Sequence, residues 1–187
     1  MTIKLLQCMV WLSLITACQS KQSAPTNFNA TNKAIERKSK GLETLQVKRY
    51  DNPTSSILQG VAIPKGKKTF LTSGLVAPLL DSTAAKTDAH KRRGDTYTQS
   101  IHTLKRIEKI LQEAGLEMKD VVYLRVYIAP DTQNNQEPDF DAWFKAYNKF
   151  FNNAQNPTKV ARTTLGVYRL ARPDILVEVE AVAIYPE

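Results

Sequence analysis

The segment Leu176-Val177-Glu178-Val179-Glu180-Ala181 decides the fold of this 187-residue chain and gives the first indication of a site. Apolar residues recur at every other position, which predicts a β-strand with one wholly apolar face. The other face carries Glu178 and Glu180 among apolar neighbours, and carboxylates in such surroundings need a partner. Arg162, in the preceding predicted strand, is the natural cation. The pattern therefore predicts an Arg–carboxylate pair, which either lines a small-molecule site or is a structural salt bridge.

Six predicted strands and two predicted helices make up the rest of the pattern. Strands are predicted over residues 45–49, 57–63, 69–73, 121–129, 161–167 and 175–185, and the second and third form a hairpin through Pro64-Lys65-Gly66-Lys67. Asp95 is an N-cap and Gly115 the matching helix stop. Pro138 and Asp139 open a second helix, whose broad aromatic face is predicted to be core. Two helices can cover only one face of so wide a sheet.

The second face of the predicted sheet is mixed, neither fully polar nor fully apolar. It carries Gln59, Tyr123, Arg125 and Glu178 between apolar side chains. Burial against copies of the same face is a consistent solution, so the pattern predicts a symmetric homo-oligomer with a pocket between subunits. Residues 74–94 are predicted to be a long irregular loop, which is either functional or mobile.

The first 41 residues are predicted to lie outside the fold. Residues 1–17 hold an apolar run that is too short to span a bilayer of roughly 30 Å. Small residues then precede Cys18, as in the lipobox of bacterial lipoprotein signal peptides; an ordinary secretory signal is the alternative. Lipidation of Cys18, followed by Gln19, favours an outer-membrane anchor facing the periplasm. Residues 18–41 are predicted to be a disordered polar tether and residues 42–187 a globular domain.

Charge and cysteine content limit the possible partners. The formal net charge is +8, which suits either anionic lipid or nucleic acid. The basic residues are scattered and no nucleic-acid motif accompanies them, so solvation and surface attraction are predicted. The two cysteines, Cys8 and Cys18, both fall in or beside the signal segment, so no intramolecular disulfide is expected. His90 and His102 have no further ligand at metal spacing, so no metal site is predicted.

Six short motifs in order resemble the RidA/YjgF family, whose best-known members are enamine and imine deaminases. They are Gln59-Gly60-Val61, Phe70-Leu71-Thr72-Ser73-Gly74, Leu111-Gln112-Glu113-Ala114-Gly115-Leu116 after Gln99, Asp139-Phe140 with Tyr147, Ala161-Arg162-Thr163-Thr164, and Val177-Glu178-Val179-Glu180-Ala181. The resemblance covers residues 56–183. It implies a chorismate-mutase-like α+β fold, with a mixed six-stranded sheet and two helices on one face. It also implies a homotrimer with three clefts between subunits.

The resemblance also implies roles for individual residues. Arg162 matches the family arginine that grips a substrate carboxylate, and a planar guanidinium suits this because it donates two parallel hydrogen bonds. Glu178 matches the glutamate that holds or polarises the hydrolytic water. The positions matched to the lining of the cleft are Ser73, Gly74, Thr164 and Ile57, the last in place of a tyrosine. In the second helix, Phe144 stands in place of a frequent asparagine. No metal or organic cofactor is implied.

Three functions are compatible with these residues. The first is a lipid-anchored hydrolase that deaminates reactive enamines or imines to 2-oxo acids and ammonia. The second is a non-catalytic trimer that binds a small metabolite in the same cleft. The third is a structural or partner-binding trimer of the cell envelope that uses the basic run Lys91–Arg93. The lost pocket tyrosine at Ile57 affects the identity of the substrate more than the location of the site.

Overall fold

The structure is a computed structural model that describes residues 46–186. The predicted signal segment 1–17, the tether 18–41 and Cys18 lie outside the described residues, so these predictions stay predictions. Within residues 46–186, no helix is both long enough and apolar enough to cross a membrane.

Strands and helices follow the predicted order, with additional short elements. The strands are β1 Lys48–Tyr50, β2 Gly60–Ala62, β3 Thr69–Leu71, β4 Leu75–Val76, β5 Val121–Ile128, β6 Pro130–Asp131, β7 Glu137–Pro138, β8 Ala161–Gly166 and β9 Val177–Ile184. The α-helices are α1 Ala89–Arg93, α2 Thr96–Glu113 and α3 Phe140–Tyr147, and a 3-10 turn spans Met118–Asp120.

The main sheet has five strands, in the order β3-β9-β5-β8, with β4 also pairing with β9. β5 and β8 are parallel because α3 crosses between them, whereas the other pairs are antiparallel. The α+β class and the mixed sheet are confirmed. The sequence prediction of a single six-stranded sheet was wrong, because β1 and β2 form a separate two-stranded sheet.

The predicted hairpin between the second and third strands was also wrong. β2 pairs with β1, and β3 pairs with β9, so the two strands have no shared ladder. Pro64 follows β2 closely and has no N–H to donate, which interrupts the extended run before β3 begins. The turn itself is present, with Lys67 N donating to the Pro64 carbonyl over 3.4 Å.

The core lies between the main sheet and the helices α2 and α3. The predicted apolar face of β9 is confirmed, since Val177, Val179, Ala181 and Ala183 are all buried. Leu104, Ile107 and Leu111 of α2, together with Trp143 and Tyr147 of α3, cover this face and are fully buried. The two longer helices therefore lie on one face of the sheet, as the alternation predicted.

Both predicted helix starts are confirmed by their caps. The Asp95 carboxylate accepts a hydrogen bond of 2.7 Å from Thr98 N, and the Asp139 carboxylate accepts one of 2.9 Å from Ala142 N. Gly115 follows the end of α2 with φ of +74°, a conformation that costs glycine little.

The predicted long loop is pinned to the domain by two buried arginines. Arg92 and Arg93 of α1 both donate from Nε to Asp174 Oδ2, over 3.0 and 2.9 Å. Arg92 also donates to the carbonyls of Ser82 and Ala84, over 3.2 and 2.7 Å. Two of the three residues in the basic run Lys91–Arg93 are therefore buried and paired, which corrects the expectation that these charges serve solvation and surface attraction.

Candidate functional site

Arg162 lies on β8, the outermost strand of the main sheet. Its register partner on β5 is the buried Leu124, so its side chain is on the face that the helices cover. The guanidinium carbon lies 4.4 Å from the ring centroid of Tyr147, 4.9 Å from that of Phe144 and 6.0 Å from that of Trp143. Ring faces attract a cation, and these three rings of α3 fix the position of the guanidinium.

The Arg162 guanidinium has no anionic partner among residues 46–186. It takes part in none of the salt bridges there, and its Nη1 is buried without a hydrogen-bond acceptor. Burial lowers the pKa of Arg162, and the nearby Tyr147 hydroxyl opposes this change. An arginine nevertheless stays protonated in proteins. The site therefore presents a desolvated positive charge with an unused donor, which is suited to bind an anion.

Two further buried polar atoms without partners occur on the same side of the sheet. Thr164 lies two residues beyond Arg162 on the same face of β8, and its Oγ1 has no hydrogen-bond partner. Trp143 is fully buried, and its Nε1 donor is also unused. Within residues 46–186 these two and Arg162 Nη1 are three of five such atoms, the other two being His102 Nδ1 and Thr103 Oγ1 on α2. Buried polar groups are rarely left unpaired, so the three around Arg162 indicate a place for a ligand that brings acceptors.

Glu178 lies on β9 and rests against the backbone of Gly74. A methyl group added at Gly74 would lie 2.0 Å from Glu178 Oε1 and 2.8 Å from its Cδ. Only a glycine leaves room for this close approach, since any Cβ would displace the carboxylate. The register agrees, because Glu178 is the β9 partner of Val76 on β4, two residues beyond Gly74.

Within one protomer, Arg162 and Glu178 lie on opposite faces of the sheet. β5 separates their strands: Arg162 pairs with Leu124, which faces the helices, whereas Glu178 pairs with Tyr127, which faces away from them. The expectation that the arginine is the direct partner of this carboxylate was therefore wrong. Side chains alternate along a strand, so the register placed one inward and the other outward.

The open face of the sheet contains the other predicted carboxylate. Arg125 Nη1 donates to Glu180 Oε2 over 2.6 Å, across β5 and β9. The Glu180 carboxylate raises the pKa of Arg125. Glu180 is therefore the partner of Arg125 and not of Arg162. On the same face, the Tyr123 hydroxyl donates to Thr163 Oγ1 over 2.8 Å.

The remaining predicted site residues divide between the two sides. Ser73 is exposed beside Gly74, on the Glu178 side. Ile57 is half-buried on the Arg162 side, since the next residue, Leu58, donates from N to the Val160 carbonyl at the start of β8 over 3.1 Å. The structure thus brings Arg162, Thr164 and Ile57 to one region and Glu178, Ser73 and Gly74 to another.

Comparison with protein families gives a direct result. The family described as endoribonuclease L-PSP matches residues 62–185, which is more than half of the chain. The chain belongs to this family. Proteins named as RutC family members also match this chain, so the RidA/YjgF family named by the sequence motifs is confirmed.

Relatives of known sequence match a limited part of the chain. A RutC family protein of Pyrococcus abyssi is 33% identical over 91 residues, which are 49% of this chain and 63% of the relative. A RutC family protein of Pasteurella multocida is 29% identical over 90 residues, which are 48% of this chain and 64% of the relative. The matched region thus spans less than two thirds of the length of these relatives.

A solved structure supports the fold. The crystal structure of YyfB from Yersinia pestis, a protein of unknown function in the conserved Rid family, has a TM-score of 0.55 to this chain. The match covers 74% of this chain and 98% of YyfB at 22% identity. At 22% identity, this similarity shows that the two proteins share a fold and shows nothing further.

Sequence reasoning about this L-PSP family member missed the unpaired indole donor of Trp143. Its ring was assigned to the core, which is correct, but its unpaired Nε1 was not anticipated. A buried tryptophan among phenylalanines and tyrosines is itself a signal, because the indole N–H normally needs a partner.

As for metal binding, residues 46–186 contain no cluster of three or more His, Cys, Asp or Glu side chains that could hold an ion.

Proposed function

We propose that this protein hydrolyses reactive enamines or imines to 2-oxo acids and ammonia, with the substrate carboxylate bound by Arg162. The observation that carries the proposal is the half-buried Arg162, whose buried Nη1 donor is unused and which has no carboxylate partner in the described residues. Its planar fork can donate two parallel hydrogen bonds to a carboxylate. Thr164 Oγ1 and Trp143 Nε1 are further unused polar atoms on this side.

The proposed chemistry needs only a positioned water and a proton relay. An enamine first tautomerises to the imine by moving a proton from its nitrogen to its β-carbon. Water then adds to the imine carbon, and one of its protons passes to the nitrogen to give a carbinolamine. The remaining hydroxyl proton passes to the nitrogen as the C–N bond breaks, which releases ammonia and leaves the 2-oxo acid. A carboxylate such as Glu178 can hold the water and carry the proton. No redox step is involved, so no oxidant or reductant is consumed.

A homotrimer is part of this proposal, because Glu178 cannot reach Arg162 within its own protomer. The two residues lie on opposite faces of the sheet, so a site that uses both needs the Glu178 of a neighbouring copy. The open face has the composition of such an interface: Leu71 is 67% exposed, and Leu165 at its edge 45%. Burying these apolar side chains against a second copy is favourable.

We further propose that the protein is lipid-anchored through Cys18 and faces the periplasm. The support comes from the sequence alone, in the small residues that precede this cysteine after a short apolar run. Metabolic labelling with a fatty-acid analogue is expected to label the wild-type chain but not Cys18→Ala. Equal labelling of both chains contradicts the anchor and leaves the site proposal unaffected.

A binding protein without catalysis is the second candidate, and one observation favours it. Arg162, Thr164 and Ile57 form one region without Glu178, so a single protomer has the carboxylate-binding part of the site but lacks the proposed base. Such a protein would hold a small carboxylate and release it unchanged. The two candidates differ in turnover and agree on the ligand class.

The test is ammonia release from freshly generated 2-imino acids by the full-length protein in detergent. The wild type is expected to accelerate hydrolysis above buffer, and Arg162→Ala is expected to lose this acceleration. Arg106→Ala is the matched control, because Arg106 is an exposed arginine on α2 whose Nη1 donates to the Val76 carbonyl. Equal rates for wild type, Arg162→Ala and buffer contradict the deaminase. If the protein cleaves RNA and releases no ammonia, the result points to the endoribonuclease activity that the family's description names.

A further inference from the structure

Two exposed phenylalanine rings lie directly beside the Arg162 guanidinium. Phe144 and Phe140 of α3 are 38% and 37% exposed, and within residues 46–186 they are the two exposed large apolar side chains that lie on a helix. Their ring centroids are 6.4 Å apart with an interplanar angle of 27°, so the rings are stacked. Phe144 is the ring 4.9 Å from the guanidinium carbon. The two rings thus form an apolar strip that begins at the cation, here called the phenylalanine strip.

The end of β8 holds the outer ring of this strip in place. A methyl group added at Gly166 would lie 3.3 Å from Phe140 Cζ and 3.0 Å from Pro138 Cγ. Because glycine has no side chain, the Phe140 ring and the Pro138 ring can pack against the backbone at the end of the strand. The phenylalanine strip therefore runs along the edge of β8 from Arg162 to Gly166.

We infer that the site selects carboxylates with an aromatic or large apolar side chain over those with a small one. The inference rests on the proposed function only in assuming that Arg162 binds the ligand carboxylate. With the carboxylate on the guanidinium, the ligand's side chain can lie on the Phe144 and Phe140 rings. A ring that stacks there removes apolar surface from water and gains ring–ring contact, whereas a methyl group covers little of the strip.

The residues around the strip support the same ligand class. Ile57, also on the Arg162 side, is aliphatic, so the region offers few polar atoms to a hydroxyl or amine on the ligand's side chain. Of the unpaired polar atoms nearby, those of Arg162 and Trp143 belong to the carboxylate end, whereas Thr164 Oγ1 lies beside the strip, two residues along β8 toward Gly166. The site thus has a polar end and an apolar end, as an amphiphilic small molecule requires.

The first experiment compares substrates in the full-length protein. An amino-acid oxidase generates the 2-imino acids of phenylalanine, leucine and alanine, and ammonia release gives kcat/KM for each. The wild type is expected to prefer the phenylalanine-derived substrate over the alanine-derived one by at least about tenfold. Phe144→Asn is expected to abolish most of this preference, whereas Phe144→Leu keeps part of it. Tyr50→Ala, which removes an exposed ring on β1, is the matched control and is expected to keep the full preference.

The second experiment measures binding without turnover. Calorimetric titration with phenylpyruvate and with pyruvate is expected to give at least about a tenfold lower Kd for phenylpyruvate, lost in Phe144→Asn. This binding preference without ammonia release would retain the inference while the deaminase fails. Ammonia release with equal kcat/KM for all three substrates would overturn the inference while the deaminase stands. If Phe144→Asn changes the oligomeric state by light scattering and leaves the preference intact, the strip is a subunit interface and the inference is wrong.

Discussion

Two sets of arginines in this domain, the buried pair Arg92 and Arg93 and the half-buried Arg162, have opposite environments. Arg92 and Arg93 share the carboxylate of Asp174, which is itself buried, and their donors reach carbonyls of the loop that precedes them. Arg162 has three aromatic rings around it and an unused donor. Arg92 and Arg93 thus have a counter-charge within the domain, whereas Arg162 has an unpaired donor and no counter-charge among the described residues. The difference separates an arginine that holds the fold together from one that is available to bind.

Arg49 shows that a half-buried arginine in this fold does not need a carboxylate to be satisfied. Its guanidinium donates to the carbonyls of Lys159, Lys119 and Val121, each over 3.0 Å. Burial lowers its pKa, as it does for Arg162. Desolvation alone therefore does not mark a site. The unused donor does, because leaving it unpaired has a cost that the fold has not removed.

Removing the carboxylate at the first set is expected to have the largest effect on stability. Asp174→Asn leaves Arg92 and Arg93 buried without a counter-charge, so the free energy of unfolding should fall by about 3–5 kcal/mol. Chemical denaturation followed by circular dichroism measures this change. Asp88→Asn is the control, since its ion pair with Lys91 is exposed and should contribute little. A loss below about 1 kcal/mol in Asp174→Asn would contradict the structural role.

Removal of the Arg162 guanidinium is expected to lower activity strongly and to change the free energy of unfolding little. Arg162→Met should lower kcat/KM for imine hydrolysis by roughly 10²–10³-fold, because the substrate carboxylate loses its charged donor. The free energy of unfolding should stay within about 1 kcal/mol of the wild type, since the lost cation–π contacts are offset by removal of an unpaired buried charge. A large loss of stability would place Arg162 with the structural arginines, and the comparison would fail.

A methyl group at Gly74 tests the carboxylate on the other face. Gly74→Ala places a Cβ where Glu178 Oε1 now lies, so the carboxylate must move. We expect a decrease of about 10- to 100-fold in kcat and a stability change below about 1 kcal/mol, because Gly74 is exposed and the displaced carboxylate ends a flexible side chain. Gly60→Ala is the matched control, because a methyl group there meets no atom within 4 Å. Unchanged kcat in Gly74→Ala would indicate that the position of Glu178 does not matter for turnover.

The acid dependence of stability is the smallest expected effect. Burial alone would raise the pKa of Asp174, but the hydrogen bonds from Arg92 and Arg93 outweigh it and hold the pKa below its usual value. An aspartate whose pKa is lower in the folded state stabilises the fold at pH values above its unfolded-state pKa of about 3.9. This stabilisation is lost as the pH falls from that pKa toward the folded-state pKa. Wild-type stability should therefore fall more steeply than that of Asp174→Asn below about pH 4. Parallel curves from denaturation at pH 3 to 6 would contradict the assignment.

The secondary structure and its inward faces could be predicted from the sequence to a large extent. The alternation Val177, Val179, Ala181 and Ala183 gives the buried face of β9, and the caps Asp95 and Asp139 give both helix starts. These are local signals, with periods of 2.0 and 3.6 residues, so they require no knowledge of distant contacts. The hairpin prediction failed because turn residues show that the chain reverses and do not show which strands pair afterwards.

The candidate site could be predicted only residue by residue. Arg162 and Glu178 stand out in the sequence, but their relative placement depends on the register of three strands. The same holds for Glu180, which binds Arg125 through a cross-strand contact between residues 55 positions apart. A shift of one residue in either pairing would exchange inward and outward side chains, and nothing in the local pattern of polar residues sets that register.

The sequence by itself determined the family, the α+β class, the buried faces and the identity of the residues that can do chemistry. Each of these depends on residue type and local periodicity. The tertiary structure alone decided that Arg92 and Arg93 are paired while Arg162 is not, and that Arg162 and Glu178 lie on opposite faces of the sheet. The physical reason is that pairing between distant segments leaves no local pattern in the sequence, and that β8, unlike β9, has no apolar alternation to show which of its side chains face inward.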